Sequence, residues 1–273
     1  MPEPDRYAVI GHPVAHSRSP WIHAEFARAT SQSLLYTTID ATPARLGGAV
    51  RSFFEGGGRG LNVTAPHKEA VLEMLAALTE RARIAGSVNT IAQLQPDVLL
   101  GDNTDGVGFV RDLQHNLGIR IRGQRVLLLG AGGAARGLLA PVLAEQPVEL
   151  VIANRTMARA QGLETRFAAR GPVRGIGYAG LGPPAFDVIV NATAASLQHA
   201  LPPLPAGLVG PATVCYDLAY GPDTTPFVLW AREQGAALAC MGGGMLVEQA
   251  AESFQLWRGV RPDTAAVLAR LQA

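Results

Sequence analysis

Of the 23 basic residues in this chain of 273, one is a lysine, Lys68, and the other 22 are arginines. Arginine supplies the surface charge. A lysine kept against that bias points to a task that a guanidinium does not perform, the release of a proton near neutral pH. Lys68 closes the run Asn62-Val63-Thr64-Ala65-Pro66-His67-Lys68. A polar residue with proline two places on marks a helix start, so the pattern predicts a helix through Val71 to Ala77 with Lys68 in its first turn. The helix dipole disfavours a further cation there and eases deprotonation. A carboxylate to partner it stands in Gly101-Asp102-Asn103-Thr104-Asp105-Gly106. Asp102 reads as a turn or helix cap. Asp105 opens the helix that follows, at a predicted domain junction. A calcium loop starting at Asp102 would need glycine at 107 and glutamate at 113, and Val107 and Leu113 exclude it.

Two hydroxyls, Ser17 and Ser19, precede a helix predicted from Trp21 to Ala29. Ser19 before Pro20 has the form of an N-cap, whereas Ser17 has no such duty. Together beside a helix N-terminus they suit a carboxylate ligand. Asn89, on a strand predicted over Ser87 to Ile91, is a candidate pocket donor. His12 and His16 lie four apart, but Pro13 between them breaks any helical metal pair. No clustered Cys/His pattern exists, so no metal is expected.

A second chemistry sits in Arg125-Val126-Leu127-Leu128-Leu129-Gly130-Ala131-Gly132-Gly133-Ala134-Ala135. An aliphatic run, a glycine turn and a helix-forming segment give the strand, turn and helix that make Gly130-x-Gly132-x-x-Ala135 a dinucleotide-binding pattern. Gly130 allows the tight turn, Gly132 admits a pyrophosphate to the backbone, and Ala135 lets helix and strand pack closely. Val148 to Ala153 reads as the next parallel strand, completing a βαβ unit. It ends in Asn154-Arg155-Thr156, with Arg159 beyond, where NAD enzymes place a carboxylate on the ribose hydroxyls. A guanidinium pairs instead with a 2′-phosphate, which predicts NADP(H).

The elements that carry these residues alternate strand and helix. Strands are predicted at Tyr7 to Ile10, Leu34 to Ile39, Gly60 to Val63, Val98 to Leu100, Phe186 to Val190, Val214 to Leu218 and Ala236 to Cys240. Helices are predicted at Arg45 to Phe54, Thr225 to Gln234 and Met245 to Leu256, with a last one from Asp263. The 48% apolar content and net charge of +1 describe an ordinary globular chain with no polyanion partner. Two cysteines make no disulfide framework, and no basic or apolar leader or membrane-length run is present. A cytoplasmic enzyme without nucleic-acid or membrane partners is expected, with its oligomeric state open.

These motifs are assembled in one order with Gly11-x-Pro13-x-x-His16-Ser17-x-Ser19-Pro20, Gly86-Ser87-Val88-Asn89-Thr90 and Gly244-Met245-Leu246-Val247-x-Gln249-Ala250. In that form, over nearly its whole length, the chain resembles the shikimate dehydrogenases. The resemblance implies an α/β protein of two domains, a Rossmann-like NADP-binding domain (106–240) inserted in an α/β substrate-binding domain (1–105, with 241–273 returning to it). It implies NADPH-dependent reduction of 3-dehydroshikimate to shikimate, in aromatic amino-acid biosynthesis. Lys68 and Asp105 become the catalytic pair, either of which can be the formal proton donor. Ser17, Ser19, Thr64, Asn89, Tyr220 and Gln249 become the substrate ligands. Gly130, Ala131, Gly132, Gly133, Ala134, Asn154, Arg155, Thr156, Arg159, Leu218 and Gly242 line the cofactor, with Glu80 also carried to that side. One loop departs from the family: Asn191-Ala192-Thr193-Ala194-Ala195-Ser196 stands where Asn-Ala-Thr-Ser-Ser-Gly is common. Met241 and Gly243 also differ from the usual residues.

Three rivals are weaker. A quinate/shikimate dehydrogenase using NAD would carry an acidic residue near position 154 or 155. An idle NADP(H)-binding regulator need not keep Lys68 with Asp105. A methyltransferase would not account for Arg155.

Overall fold

The first strand, β1 (Asp5–Gly11), is an interior strand of the first sheet, with its residues from Tyr7 to Ile10 buried. After α1 (Ser19–Ala29), the chain returns as β2 (Leu34–Asp40), parallel to β1. After α2 (Leu46–Glu55), β3 (Gly58–Val63) adds in parallel on the other side of β1. The short β4 (Ala77–Leu78) and α3 (Glu80–Ala85) follow. Then β5 (Thr90–Gln95) and β6 (Val98–Asp102) add as an antiparallel hairpin, giving the order β2-β1-β3-β5-β6-β4. The helix α4 (Asp105–Arg111) leads out.

The second sheet is parallel throughout. Strands β7 (Arg125–Leu129), β8 (Glu149–Asn154) and β9 (Val173–Gly177) run outward one way, linked by α5 (Gly133–Ala144) and α6 (Met157–Phe167). The chain then crosses back, and β10 (Phe186–Asn191), β11 (Val209–Asp217), α7 (Pro226–Glu233) and β12 (Leu238–Met241) complete the order β12-β11-β10-β7-β8-β9. Because all six strands are parallel, their C-terminal ends share one rim. The order reverses between β7 and β10, which is where ligands bind in such sheets. The strand β9, interrupted by two glycines, is not apparent from hydrophobic pattern. Finally α8 (Gly243–Arg258) and α9 (Ala265–Gln272) return to α1, joining Ile22, Phe26, Val247, Ala251, Phe254 and Val267 in one apolar cluster.

The structure, a computed structural model, describes residues 3–272. It forms two compact units, one running to Phe109 and resuming at Leu246, the other spanning Val110–Met245. No helix among the described residues is long and apolar enough to cross a membrane.

In the first unit, a buried ion pair fixes the end of β6. Asp102 is the last residue of that strand, and its carboxylate accepts two bonds from Arg81 and one from Thr79 Oγ1. It is no helix cap, as its sequence setting suggested. Burial pushes its carboxyl up, but the Arg81 bonds and charge outweigh that and hold it below its ordinary value. The carboxylate is 1% exposed and the guanidinium 33%. Removing the cation leaves a buried charge unpaired, so Arg81→Met should destabilise the first unit by about 3 kcal/mol at pH 7. The lowered carboxyl contributes stability above its unfolded value of about 3.9 and loses it as pH falls through the folded value. Urea unfolding should therefore show a full difference between wild type and Arg81→Met at neutral pH, shrinking toward and below about pH 4. A difference that persists unchanged in acid would mean that the pair is not what the substitution removed.

Candidate active site

Lys68 lies on the loop after β3, and the structure corrects its predicted setting. No α-helix forms over Val71 to Ala77; a 3-10 turn covers Ala70–Met74. The cause is local. The Lys68 carbonyl accepts the Val88 N–H at 2.7 Å, so it is not available to Leu72, which bonds to Glu69 instead. The helix dipole therefore does not act on the lysine. What does act is a carboxylate: Lys68 Nζ donates to Asp105 Oδ2, with the two side chains 15% and 5% exposed. Asp105 stands, as expected, at the start of α4.

Hydrogen-bond polarity sets the rest of the cluster. Asn89 Oδ1 accepts the Thr104 backbone N–H at 2.8 Å, which turns its amide nitrogen the other way. That nitrogen lies 2.8 Å from Asp105 Oδ1 and 3.1 Å from Gln249 Oε1. Gln249 in turn donates its amide to Leu246 O, so its oxygen faces Asn89. The approach of α8 to α4 depends on Gly108, where a Cβ would stand 2.6 Å from the Gln249 backbone nitrogen. Beneath lies a buried polar layer. Tyr36 donates to Asn62 Oδ1, and Asn62 Nδ2 reaches Thr90 Oγ1 and Ser253 Oγ. Thr90 and Thr104 stand within the sequence motifs but carry no assigned role there, and Ser253 stands outside them, although it lies one helical turn after Gln249, a spacing that puts both on one face. His23 stacks on Tyr36 at 4.3 Å, and burial lowers its pKa to about 3, keeping the layer uncharged.

Ser19 is not the N-cap that its sequence setting suggested. It is the first residue of α1 and is buried; Arg18 holds the N-cap position with no side chain capping the helix, and Ser17 Oγ accepts the Ser19 N–H at 3.3 Å. Their loop is tied to the one bearing Thr64 by the His12 N–H, which donates to Ala65 O at 3.0 Å. The first unit thus joins Lys68, Asp105, Asn89 and Gln249 directly, with Thr64, Ser17 and Ser19 on adjoining loops. Tyr220 lies in the second unit, half-buried, three residues past β11.

In the second unit, Gly130 turns the chain at φ +107°, and a Cβ there would meet the Ala192 carbonyl at 3.0 Å. Gly132 stands at the N-cap of α5 with no side chain capping the helix and open space where a Cβ would be. Ala131 is buried, while Gly133 and Ala134 are half-buried. The backbone N–H groups of the first turn therefore suit a pyrophosphate. Beyond β8, Asn154 Nδ2 donates to Thr156 O at 2.9 Å and closes a turn that leaves Arg155, Thr156 and Arg159 exposed. Neither arginine meets a carboxylate among the described residues, and the next acid in sequence, Glu164, is turned to the Gly175 N–H. A 2′-phosphate fits this surface. Leu218 donates its N–H to Asn191 O, and Gly242 donates to Ala219 O, lacing the ends of β10, β11 and β12. Glu80 lies in the first unit, exposed in the first turn of α3. Burial pushes the Cys215 and Cys240 thiols up to about 12, so neither is a nucleophile at neutral pH. Among the described residues no three His, Cys, Asp or Glu side chains gather as a metal ion needs.

A doubly wound parallel sheet with a glycine turn at its switch point, in one chain with an α/β unit that holds a buried lysine–carboxylate pair, defines a nucleotide-dependent oxidoreductase of two α/β units. Comparison with known proteins is specific. Family models match residues 9–91 (shikimate dehydrogenase substrate binding domain), 112–200 (shikimate / quinate 5-dehydrogenase) and 242–272 (shikimate 5'-dehydrogenase C-terminal domain). The chain is 54% identical over 273 residues to the shikimate dehydrogenase (NADP(+)) of Methylococcus capsulatus, covering 100% of this chain and 98% of that one. Among solved structures, an Ael1 enzyme from Pseudomonas putida matches with TM-score 0.89 and 49% identity over 98% of both chains. Shikimate 5-dehydrogenase from Thermus thermophilus, in complex with NADP(H) and shikimate, matches with TM-score 0.83 and 33% identity, again over 98% of both. The chain belongs to the shikimate dehydrogenase family.

Proposed function

We propose that this protein catalyses the reversible NADPH-dependent reduction of 3-dehydroshikimate to shikimate, with the first unit holding the substrate and the second the nucleotide. The observation that carries this reading is the Lys68–Asp105 pair, bonded to Asn89 and through it to Gln249. When bound, NADPH supplies the hydride. The ring carbonyl then becomes a developing alkoxide, which needs a proton donor within hydrogen-bond reach. Lys68 supplies that proton from Nζ and takes it back in the reverse direction. Asp105 orients the ammonium and accepts a hydroxyl of the substrate, and Asn89 and Gln249 complete the polar wall. Ser17, Ser19 and Thr64 offer hydroxyls to the substrate carboxylate and ring. Two free cysteines suit a reducing compartment, and we place the enzyme in the cytoplasm.

The decisive assay is spectrophotometric, with shikimate and quinate each offered with NADP and NAD. Shikimate with NADP should be the favoured pair; quinate with NAD as the better pair would establish the quinate/shikimate alternative. Lys68→Ala should lower kcat by at least ~100-fold while moving the shikimate KM far less. Lys68→Arg should fail nearly as badly, since it keeps the charge without releasing a proton. An arginine variant with near-normal turnover would reduce Lys68 to a charge that binds.

The nucleotide preference rests on Arg155, Thr156 and Arg159. Charge-assisted bonds to a phosphate favour NADP over NAD by roughly 30- to 1000-fold in kcat/KM. Arg155→Ala should erode most of that preference and leave the NAD reaction nearly untouched, because NAD has no 2′-phosphate to lose. Equal use of both nucleotides by the wild type would sink this assignment.

A further inference from the structure

The loop that departs from the family, 191–196, is fastened by one of its three departing residues, Ser196. Ser196 Oγ donates to Asp217 Oδ2 at 2.5 Å and accepts from Asn191 Nδ2 at 3.0 Å. Asp217, the last residue of β11, is fully buried, and its hydrogen-bond partners among the described residues include no arginine or lysine. It accepts also from Thr225 Oγ1 at 2.7 Å, from the Ala219 N–H at 3.0 Å and from Asn191 Nδ2 at 3.2 Å. The proton polarity is consistent throughout. Thr225 spends its lone pair on the Val228 N–H and its proton on Asp217. Asn191 spends its oxygen on Thr193, whose backbone N–H and hydroxyl both donate to it, and the Thr193 hydroxyl oxygen accepts the Ala195 N–H. A single carboxylate thus draws together the loop after β10, the loop after β11 and the start of α7.

This network lies on the nucleotide rim. The Ala192 N–H bonds to Leu129 O at 2.8 Å, and the Ala192 carbonyl is the group against which Gly130 packs. The glycine turn and the 192–195 loop therefore share a boundary, and displacement of one crowds the other. Without Ser196, Asp217 retains Thr225, Ala219 and Asn191, and the loop retains the Asn191–Thr193 and Ala192–Leu129 bonds, so what the Ser196 hydroxyl adds is the direct tie of the loop's far end to Asp217.

We propose that Ser196 is a positioning residue for the cofactor, acting through Asp217 to hold the 192–195 loop against the glycine turn in place of the two serines and the glycine that the family commonly has there. The inference rests on the NADP reading above. Calorimetric titration of NADP+ into purified wild type, Ser196→Ala and Ser196→Thr tests it, together with steady-state kinetics of shikimate oxidation. Ser196→Ala should weaken NADP+ binding roughly ten-fold, keep kcat at saturating NADP+ within about threefold of wild type, and leave the shikimate KM unchanged. Ser196→Thr, which restores the donor, should return NADP+ affinity to within about threefold of wild type. Should Ser196→Ala prove insoluble, Ser196→Gly carries the same expectation. Wild-type NADP+ affinity in the alanine or glycine variant overturns the proposal, as does an equal rise in both KM values, the pattern of general loosening. Failure of the wild type itself to bind NADP+ overturns the cofactor reading and this inference with it.

Discussion

A lysine–carboxylate pair held largely out of water is costly to build, and that constraint organises the first unit. Taking Lys68 and Asp105 out of water removes hydration that a single contact does not replace. The remaining carboxylate oxygen must be met, and Asn89 meets it. Asn89 faces the right way only because the Thr104 N–H holds its oxygen, and it shares its nitrogen with Gln249 on a helix admitted by Gly108. Each bond narrows the choices for the next. A pocket of this kind is preorganised by its neighbours rather than by its ligand.

The second unit is governed by a different constraint, the closeness of backbone to backbone. Parallel strands place every C-terminal end on one rim, and the reversal after β9 opens the sheet beside β7. At that point a left-handed glycine lets the Ala192 peptide approach, and the next turn is left without a side-chain cap. Nothing in this arrangement depends on large side chains. What this rim offers a ligand is backbone where side chains are missing, and beyond β8 two arginines that meet no carboxylate among the described residues.

How much of this can be read from the chain alone follows the same division. The βαβ unit, the glycine turn and the Asn154-Arg155-Thr156 end are local, contiguous signals, and the structure forms the elements they predict. Lys68 and Asp105 stand out by rarity and motif, but the predicted helix around Lys68 is lost to a long-range bond from Val88 that no local pattern encodes. The helix α1 starts one residue earlier than the Ser19-Pro20 pattern places it, so Ser19 is the first helical residue and not the cap. Asp217 and Ser196 are ordinary residues in sequence, twenty-one apart, and become partners only through the pairing of β10 with β11. Short-range rules reach the elements, and non-local bonds decide what their ends do.

Asp102 and Asp105 make the point in three residues of chain. Both are buried acids, one at the end of β6 and the other at the start of α4, and both are satisfied by a cation and by neighbouring donors. Their partners separate them. Arg81 offers a planar fork that stays charged at every physiological pH, so the Asp102 pair holds geometry and does nothing else. Lys68 offers a compact ammonium with rotatable donors, which is the chemistry that the proposed proton transfer asks of the pair with Asp105. In a chain with 22 arginines, the single lysine stands at the one pair to which that role is assigned.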